Sequence, residues 1–393
     1  MKVDTNTEKI HELLTRGVVE VIHHDDLKEK LLSGKRLRIK LGIDPTSPNI
    51  HIGRSIPLLK LKDFQELGHT IVFIVGDFTG IIGDTSDKES ERPMLTKKEV
   101  EENKQNYFNQ AGKILDIQKV ELRYNSEWLE KLTYREIGEH ADLFSVADFI
   151  ARDNIKRRLD AGKRVSLRET LYPLMQGYDS VAVEADVELG GTDQRFNLLA
   201  GRTLQPHFDQ EPQNILMTTL INGTDGRKMS SSWGNTIHLS MDAKDMYGKV
   251  MTVQDEEIIT YFTMCTRVPI SEINSMEEDL KNKTNPRDVK MRLAYELTKM
   301  YHGEEGANEG ERHFVDTFQR NQVPEEVMEI KKDYIDSLIE KEVIVSKSEL
   351  RRLLEAGGVR NVETEEKLSE FPKSVTKETV LKIGKRRFVK LMP

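Results

Sequence analysis

The sequence predicts an α/β protein built on a parallel sheet, followed by a helical stretch and a basic tail. Three observations carry this: a strand–helix–strand run near the start, a second α/β block in the middle, and a charge that changes along the chain. In the first run, 38–43 (Arg-Ile-Lys-Leu-Gly-Ile) reads as a strand that stops at Asp44-Pro45, because proline drives its predecessor out of helical geometry. Residues 52–67 then carry Ile52, Ile56, Leu59 and Phe64 at helical spacing, with Gly68 as the stop. Residues 70–75 form a continuous β-branched run of the kind buried inside parallel sheets. Strand, helix and strand in that order make a right-handed βαβ unit. A mostly helical stretch is expected over 96–168. The second block, 172–232, holds expected strands at 187–189 and 214–217, and a helical, acidic segment follows to Tyr301. The boundaries fall near 235 and 335, giving expected domains 1–235, 236–335 and 336–393.

Composition narrows the class. At about 100–200 residues per domain, 393 residues predict two or three domains. No apolar run approaches the ~20 residues of a membrane helix, and the first residues lack the apolar core of a secretion signal. The single cysteine, Cys265, excludes an internal disulfide and a cysteine-based zinc site, and a reduced, cytoplasmic protein is expected. The net charge of −8 speaks against a nucleic-acid binder until it is divided. Residues 341–393 hold eight Lys and five Arg against eight Glu and no Asp, a local +5, which leaves −13 on the rest. A second basic stretch, 152–168, sets seven cations against Asp153 and Asp160. Such patches suit a phosphate backbone, although each also fits a solvated helix face.

Two motifs point to nucleotide chemistry. Gly42-x-Asp44-Pro45-Thr46-x4-His51-Ile52-Gly53-Arg54 lies where a strand ends and a helix begins, the place where unpaired N–H groups receive phosphate. Gly226-Arg227-Lys228-Met229-Ser230-Ser231-Ser232 follows the last expected strand, and its lysine and hydroxyls suit closure over a triphosphate. Neither G-x-G-x-x-G nor G-x-x-x-x-G-K-[ST] occurs. A third pattern places Tyr172, Gln176 and Asp179 on one helix face, ahead of the turn Gly190-Gly191-Thr192-Asp193-Gln194.

The first two motifs together resemble the His-x-Gly-His and Lys-Met-Ser-Lys-Ser signatures of the class I aminoacyl-tRNA synthetases. With the Tyr-x3-Gln-x2-Asp helix and the Gly-Gly-x-Asp-Gln turn, the chain is similar to the bacterial tyrosyl-tRNA synthetase family. The tail, with Arg351, Arg352, Lys385, Arg386 and Arg387, resembles an S4-type RNA-binding module. The resemblance implies a Rossmann-like catalytic domain with a helical insertion at about 96–168, then an α-helical anticodon-arm domain and a small α+β S4-type domain.

It also implies the chemistry. ATP, with Mg²⁺ and no tightly bound cofactor, would convert L-tyrosine to tyrosyl-adenylate, and tRNA(Tyr) would accept the tyrosyl group. The family works as a homodimer. Asp179 would accept the phenol hydroxyl, with Lys40 standing where the family's more familiar branch has a second, tyrosine partner. Tyr172, Gln176 and Asp84 would hold the ammonium group, and Gln194 would sit near the carboxylate. Gly42, Asp44, Gly53, Arg54, Gly191, Asp193 and Met229 would surround ATP and the adenylate. His51, Lys228, Thr46 and Ser231, with Lys88 and Arg92 on a mobile loop, would serve the phosphates. Arg152, Lys156, Arg157, Arg158, Lys163 and Arg164 would meet tRNA alongside the tail. Arg54 and Ser231 depart from the two signatures. A tryptophanyl enzyme, a non-catalytic RNA-binding relative and a small-molecule nucleotidyltransferase of the His-x-Gly-His type, which is much shorter and lacks the tail, are the alternatives. Asp179 and the tail argue against the first; Asp44, His51, Lys228 and Asp193 argue against the second.

Overall fold

A computed structural model describes the chain except residues 1, 85–95, 231–232, 283, 320–326, 332, 365 and 385–386, and except the side chains of 97, 104, 105, 318 and 319. The chain divides into two compact units, Met1–Gly303 and Glu304–Pro393. The division falls inside the long Pro286–Phe314 helix, at Gly303, whose φ of 76° is open to glycine at little cost.

The first unit is built on six strands: β1 (Val18–Ile22), β2 (Arg38–Ile43), β3 (Thr70–Val75), β4 (Val120–Tyr124), β5 (Val187–Gly191) and β6 (Asn214–Thr218). Their order across the sheet is β1-β6-β5-β2-β3-β4. Every pair is parallel except β1 with β6. From β2 the chain builds outward through β3 and β4, then returns to lay β5 and β6 on the other side. The reversal leaves a crevice beyond the carboxyl ends of β2 and β5, where parallel sheets bind ligands.

The expected strands at 38–43 and 70–75 form as read, and the helix over 52–67 is observed as Ile52–Glu66. The expectation of a mostly helical stretch over 96–168 needs correction. That stretch also contributes β4, at the edge of the main sheet. The stretch is helical on both sides of it, in Lys97–Ala111 and Tyr134–Asp142, each started by a capping box from Thr96 or Thr133.

Behind the sheet, Leu167–Ala182 packs against Arg195–Leu204. A Cβ on Gly177 would come within 2.8 Å of Leu204 and 2.9 Å of the Ala200 backbone, so only glycine lets the two helices approach this closely.

The second unit carries β7 (Met328–Ile330), β8 (Val359–Asn361), β9 (Thr379–Ile383) and β10 (Arg387–Leu391), ordered β7-β10-β9-β8. Tyr334, Leu338, Ile344, Leu350, Val359, Leu381, Ile383, Val389 and Leu391 form its own core. Ser346 caps the Lys347–Glu355 helix by accepting from the Glu349 N–H.

Candidate active site

The carboxyl ends of β2, β5 and β6 open into a cleft of about 530 Å³. Fourteen of the residues expected to bind substrates or phosphate line it together: Gly42, Asp44, Thr46, His51, Gly53, Arg54, Asp84, Tyr172, Gln176, Gly191, Asp193, Gln194, Lys228 and Met229. Lys40 and Asp179 do not; both lie behind it. Lys88, Arg92 and Ser231 fall outside the described residues.

One wall starts at the helix Ile52–Glu66. His51 is its N-cap, and its Nδ1 accepts from the Arg54 N–H at 3.3 Å. That bond assigns the ring proton to Nε2, which makes the imidazole a donor. Burial, with help from Arg54 and His238, pushes the His51 pKa down to about 3, so the ring is neutral at pH 7. Arg54, which replaces the signature histidine, is already engaged: it donates to the Tyr107 hydroxyl at 2.6 Å and to Thr46 Oγ1 at 3.2 Å.

The loop opposite is tied down by Asn235, whose side chain accepts from Ser230 N–H and donates to Asp225. Gly226 turns it with φ of 81°. Lys228 reaches across to Asp193, Nζ to Oδ2 3.4 Å. A positive group thus stands over the Gly-Gly-x-Asp-Gln turn.

The far end is built from bonded carboxylates. Asp44 accepts from Tyr172 Oη at 2.8 Å and from Thr79 Oγ1 at 2.7 Å. Burial and the Asp44 carboxylate hold the Tyr172 phenol well above its usual range, so it stays a neutral donor. Asp84 accepts from Gln194 Nε2 at 2.7 Å. A Cβ on Gly76 would overlap both Asp44 and Thr79, so this glycine makes the arrangement possible.

Asp179 is 4% exposed. It accepts from Trp128 Nε1 at 2.8 Å and from Asn125 Nδ2 at 3.3 Å. Burial pushes its pKa up to about 7, against the pull of Lys40 and of these two donors. Lys40, expected at the substrate, is 0% exposed and pairs with Glu188 at 2.8 Å. Its remaining protons go to Gln176 O at 2.9 Å and Ser180 Oγ at 2.7 Å. An ammonium has three donors, so none remains for a ligand. The expectation that Lys40 touches substrate is corrected accordingly.

Trp128, Asn125, Tyr107 and Glu188 were not singled out from sequence. Glu188 left a signal: a charge in the middle of an expected buried strand, matched by Lys40 in another.

A family model described as tRNA synthetases class I (W and Y) matches residues 32–319. The chain belongs to this family. It is 45% identical over 386 residues to the tyrosine–tRNA ligase of Thermotoga maritima, covering 97% of this chain and 96% of that enzyme. It is 43% identical over 400 residues to the tyrosine–tRNA ligase of Carboxydothermus hydrogenoformans, with 97% of each covered. Among solved structures, a C-terminally truncated mitochondrial tyrosyl-tRNA synthetase of Coccidioides posadasii superposes with a TM-score of 0.63 at 25% identity, over 78% of this chain and 92% of that one.

In this class I synthetase the expected RNA-facing cations divide by burial. Lys156, Arg157, Lys163 and Arg164 are exposed on and just after the Asp153–Asp160 helix. Arg152 is half-buried, its guanidinium 4.7 Å from the Phe196 ring centre. Arg158 is a correction: it is 3% exposed and makes a two-pronged pair with Glu169, so it braces the chain internally. In the second unit Arg351 and Arg352 are exposed, while Arg387 is half-buried and pairs with Glu349 at 2.9 Å. Lys385 and Arg386 lie outside the described residues.

Proposed function

We propose that this chain is a tyrosine–tRNA ligase: it activates L-tyrosine with ATP and passes the tyrosyl group to the 3′-terminal adenosine of tRNA(Tyr). The observation that carries the proposal is one cleft with two chemically distinct ends. Phosphate-type donors, His51, Thr46, Arg54 and Lys228, stand at one; Tyr172, Gln176 and Asp84 form a polar, carboxylate-bearing end that suits an ammonium group.

A carboxylate oxygen of tyrosine attacks the α-phosphorus of ATP in line, and pyrophosphate leaves with the bonding electrons. Charge shifts onto the phosphoryl and leaving oxygens, so the enzyme's task is positioning and electrostatic stabilisation. His51, held neutral, contributes a hydrogen bond from Nε2. Lys228 contributes the positive charge, moving from Asp193 to the phosphates. Mg²⁺ enters with the nucleotide in this proposal, because the cleft carboxylates Asp44, Asp84 and Asp193 already serve Tyr172, Gln194 and Lys228. In the second step the terminal ribose hydroxyl attacks the adenylate carbonyl and AMP leaves.

The exposed cations at 156–164 and at 351–352 supply two basic surfaces for tRNA. Tyr134, Val146 and Leu167, exposed by 93%, 72% and 78%, support a homodimer formed through this stretch. No described helix is long and apolar enough to cross a membrane; cytoplasmic residence is proposed with the function. The test is charging of total bacterial tRNA with a panel of amino acids. Tyrosine alone should be loaded; loading of tryptophan, or of nothing, refutes the proposal.

A further inference from the structure

Lys40 and Glu188 oppose each other directly in the parallel strands β2 and β5. Both are buried, at 0% and 1% side-chain exposure. Removing two charges from water costs several kcal/mol per ion, so such a pair persists only where its geometry is fully used. Here it is used mainly on the Leu167–Ala182 helix. Lys40 donates to the Gln176 carbonyl and to Ser180 Oγ. Glu188 accepts from Ser180 at 3.0 Å, from Gln213, and from the Gln176 side-chain amide, Nε2 to Oε1 3.2 Å.

The last bond matters for chemistry. A carboxylate paired with an ammonium can only accept, so Gln176 must present its NH₂ group to Glu188. The amide oxygen is then the atom left to the cleft, which Gln176 lines. Turned over, the same side chain would offer N–H groups there and repel a ligand that itself only donates.

We propose that the buried Lys40–Glu188 pair is a positioning device that fixes the Gln176 amide with its oxygen toward the cleft, as an acceptor for the substrate's ammonium group. The inference rests on the tyrosine-activating function proposed above and assigns the pair no contact with substrate. It gives a reason for a charge in each of two buried strands.

The test replaces the pair with volume-matched apolar residues, Lys40→Met with Glu188→Met, which avoids stranding one buried ion. Three ligands separate the roles: tyrosine, by its KM in ATP–pyrophosphate exchange; tyramine, which keeps the ammonium; and 3-(4-hydroxyphenyl)propionate, which lacks it, the last two as competitive inhibitors. Loss of a hydrogen bond to a charged group is worth about tenfold to a hundredfold. Tyrosine and tyramine should weaken by that factor, and the desamino compound and ATP by less than twofold. In a Gln176→Met background the double substitution should cost nothing further, since the group it orients is gone. Equal weakening of all three ligands, or none, overturns the proposal. Should the double variant not fold, Gln176→Met alone must give the ammonium-specific loss, and equal weakening of the desamino compound overturns the proposal there too. A wild-type chain that exchanges with no amino acid would refute the proposed function instead.

Discussion

His51 sits at the start of its helix with a pKa pushed down from 6.5 to about 3 by burial and by neighbouring Arg54 and His238. In the unfolded chain the same ring titrates near 6.5. The native state therefore binds fewer protons than the unfolded one between those values, and stability must fall as pH falls through that window. Above pH 6.5 the contribution is fully present. Between pH 7.5 and 5.0 the unfolded chain takes up almost one proton at this site and the folded chain almost none. At 1.36 kcal/mol per unit of pKa, His51 alone removes about 2 kcal/mol over that interval. His51→Gln keeps a neutral hydrogen-bonding side chain and abolishes the titration. Urea unfolding at the two pH values, followed by tryptophan fluorescence, gives the comparison. Both tryptophans, Trp128 and Trp233, lie in the first unit, so the signal reports the unit that carries His51. The wild type should lose about 2 kcal/mol more than His51→Gln on going from pH 7.5 to 5.0. Equal losses would mean that the folded ring titrates over the same range as the unfolded one, and the depression of its pKa by burial would fall.

Three further outcomes follow from the same geometry. Gly76→Ala drives a methyl group into Asp44 and Thr79 and should cost about 1–3 kcal/mol of stability, with a raised tyrosine KM, because Asp44 holds Tyr172. Asp179→Asn replaces the carboxylate that accepts from both Trp128 Nε1 and Asn125 Nδ2 with an amide whose NH₂ must face one of those donors, and should cost about 1–3 kcal/mol of stability, measured by urea unfolding at pH 7.5. Removing the second unit, 304–393, should abolish tRNA charging while leaving adenylate formation within a few-fold; equal loss of both steps would separate that unit from tRNA.

The parts legible from sequence were those whose cause is local. Pro45 ends β2, a β-branched run makes β3, and His51-x-Gly53 and Lys228 declare themselves by short motifs. β4 was hidden because it is an edge strand, partly exposed along its length, in which Glu121 and Arg123 alternate with apolar neighbours amid helical sequence. The supporting side chains were hidden for another reason. Trp128 and Asn125 hold Asp179 from more than 50 positions away, and Tyr107 holds Arg54 across 53. Only the sheet order brings them together. The basic count over 152–168 misled at Arg158, because a charge tally does not see that Glu169, one turn into the next helix, has claimed it.

In the proposed mechanism this cleft joins tyrosine to the α-phosphate of ATP, with Lys228 supplying the charge. Tyrosine-dependent ATP–pyrophosphate exchange, run on the wild type and on Lys228→Ala, tests it most directly. The wild type should exchange with tyrosine and not with tryptophan, and the variant should be slower by about 10²–10³ with little change in tyrosine affinity. Exchange in Lys228→Ala within a few-fold of the wild type would contradict the account.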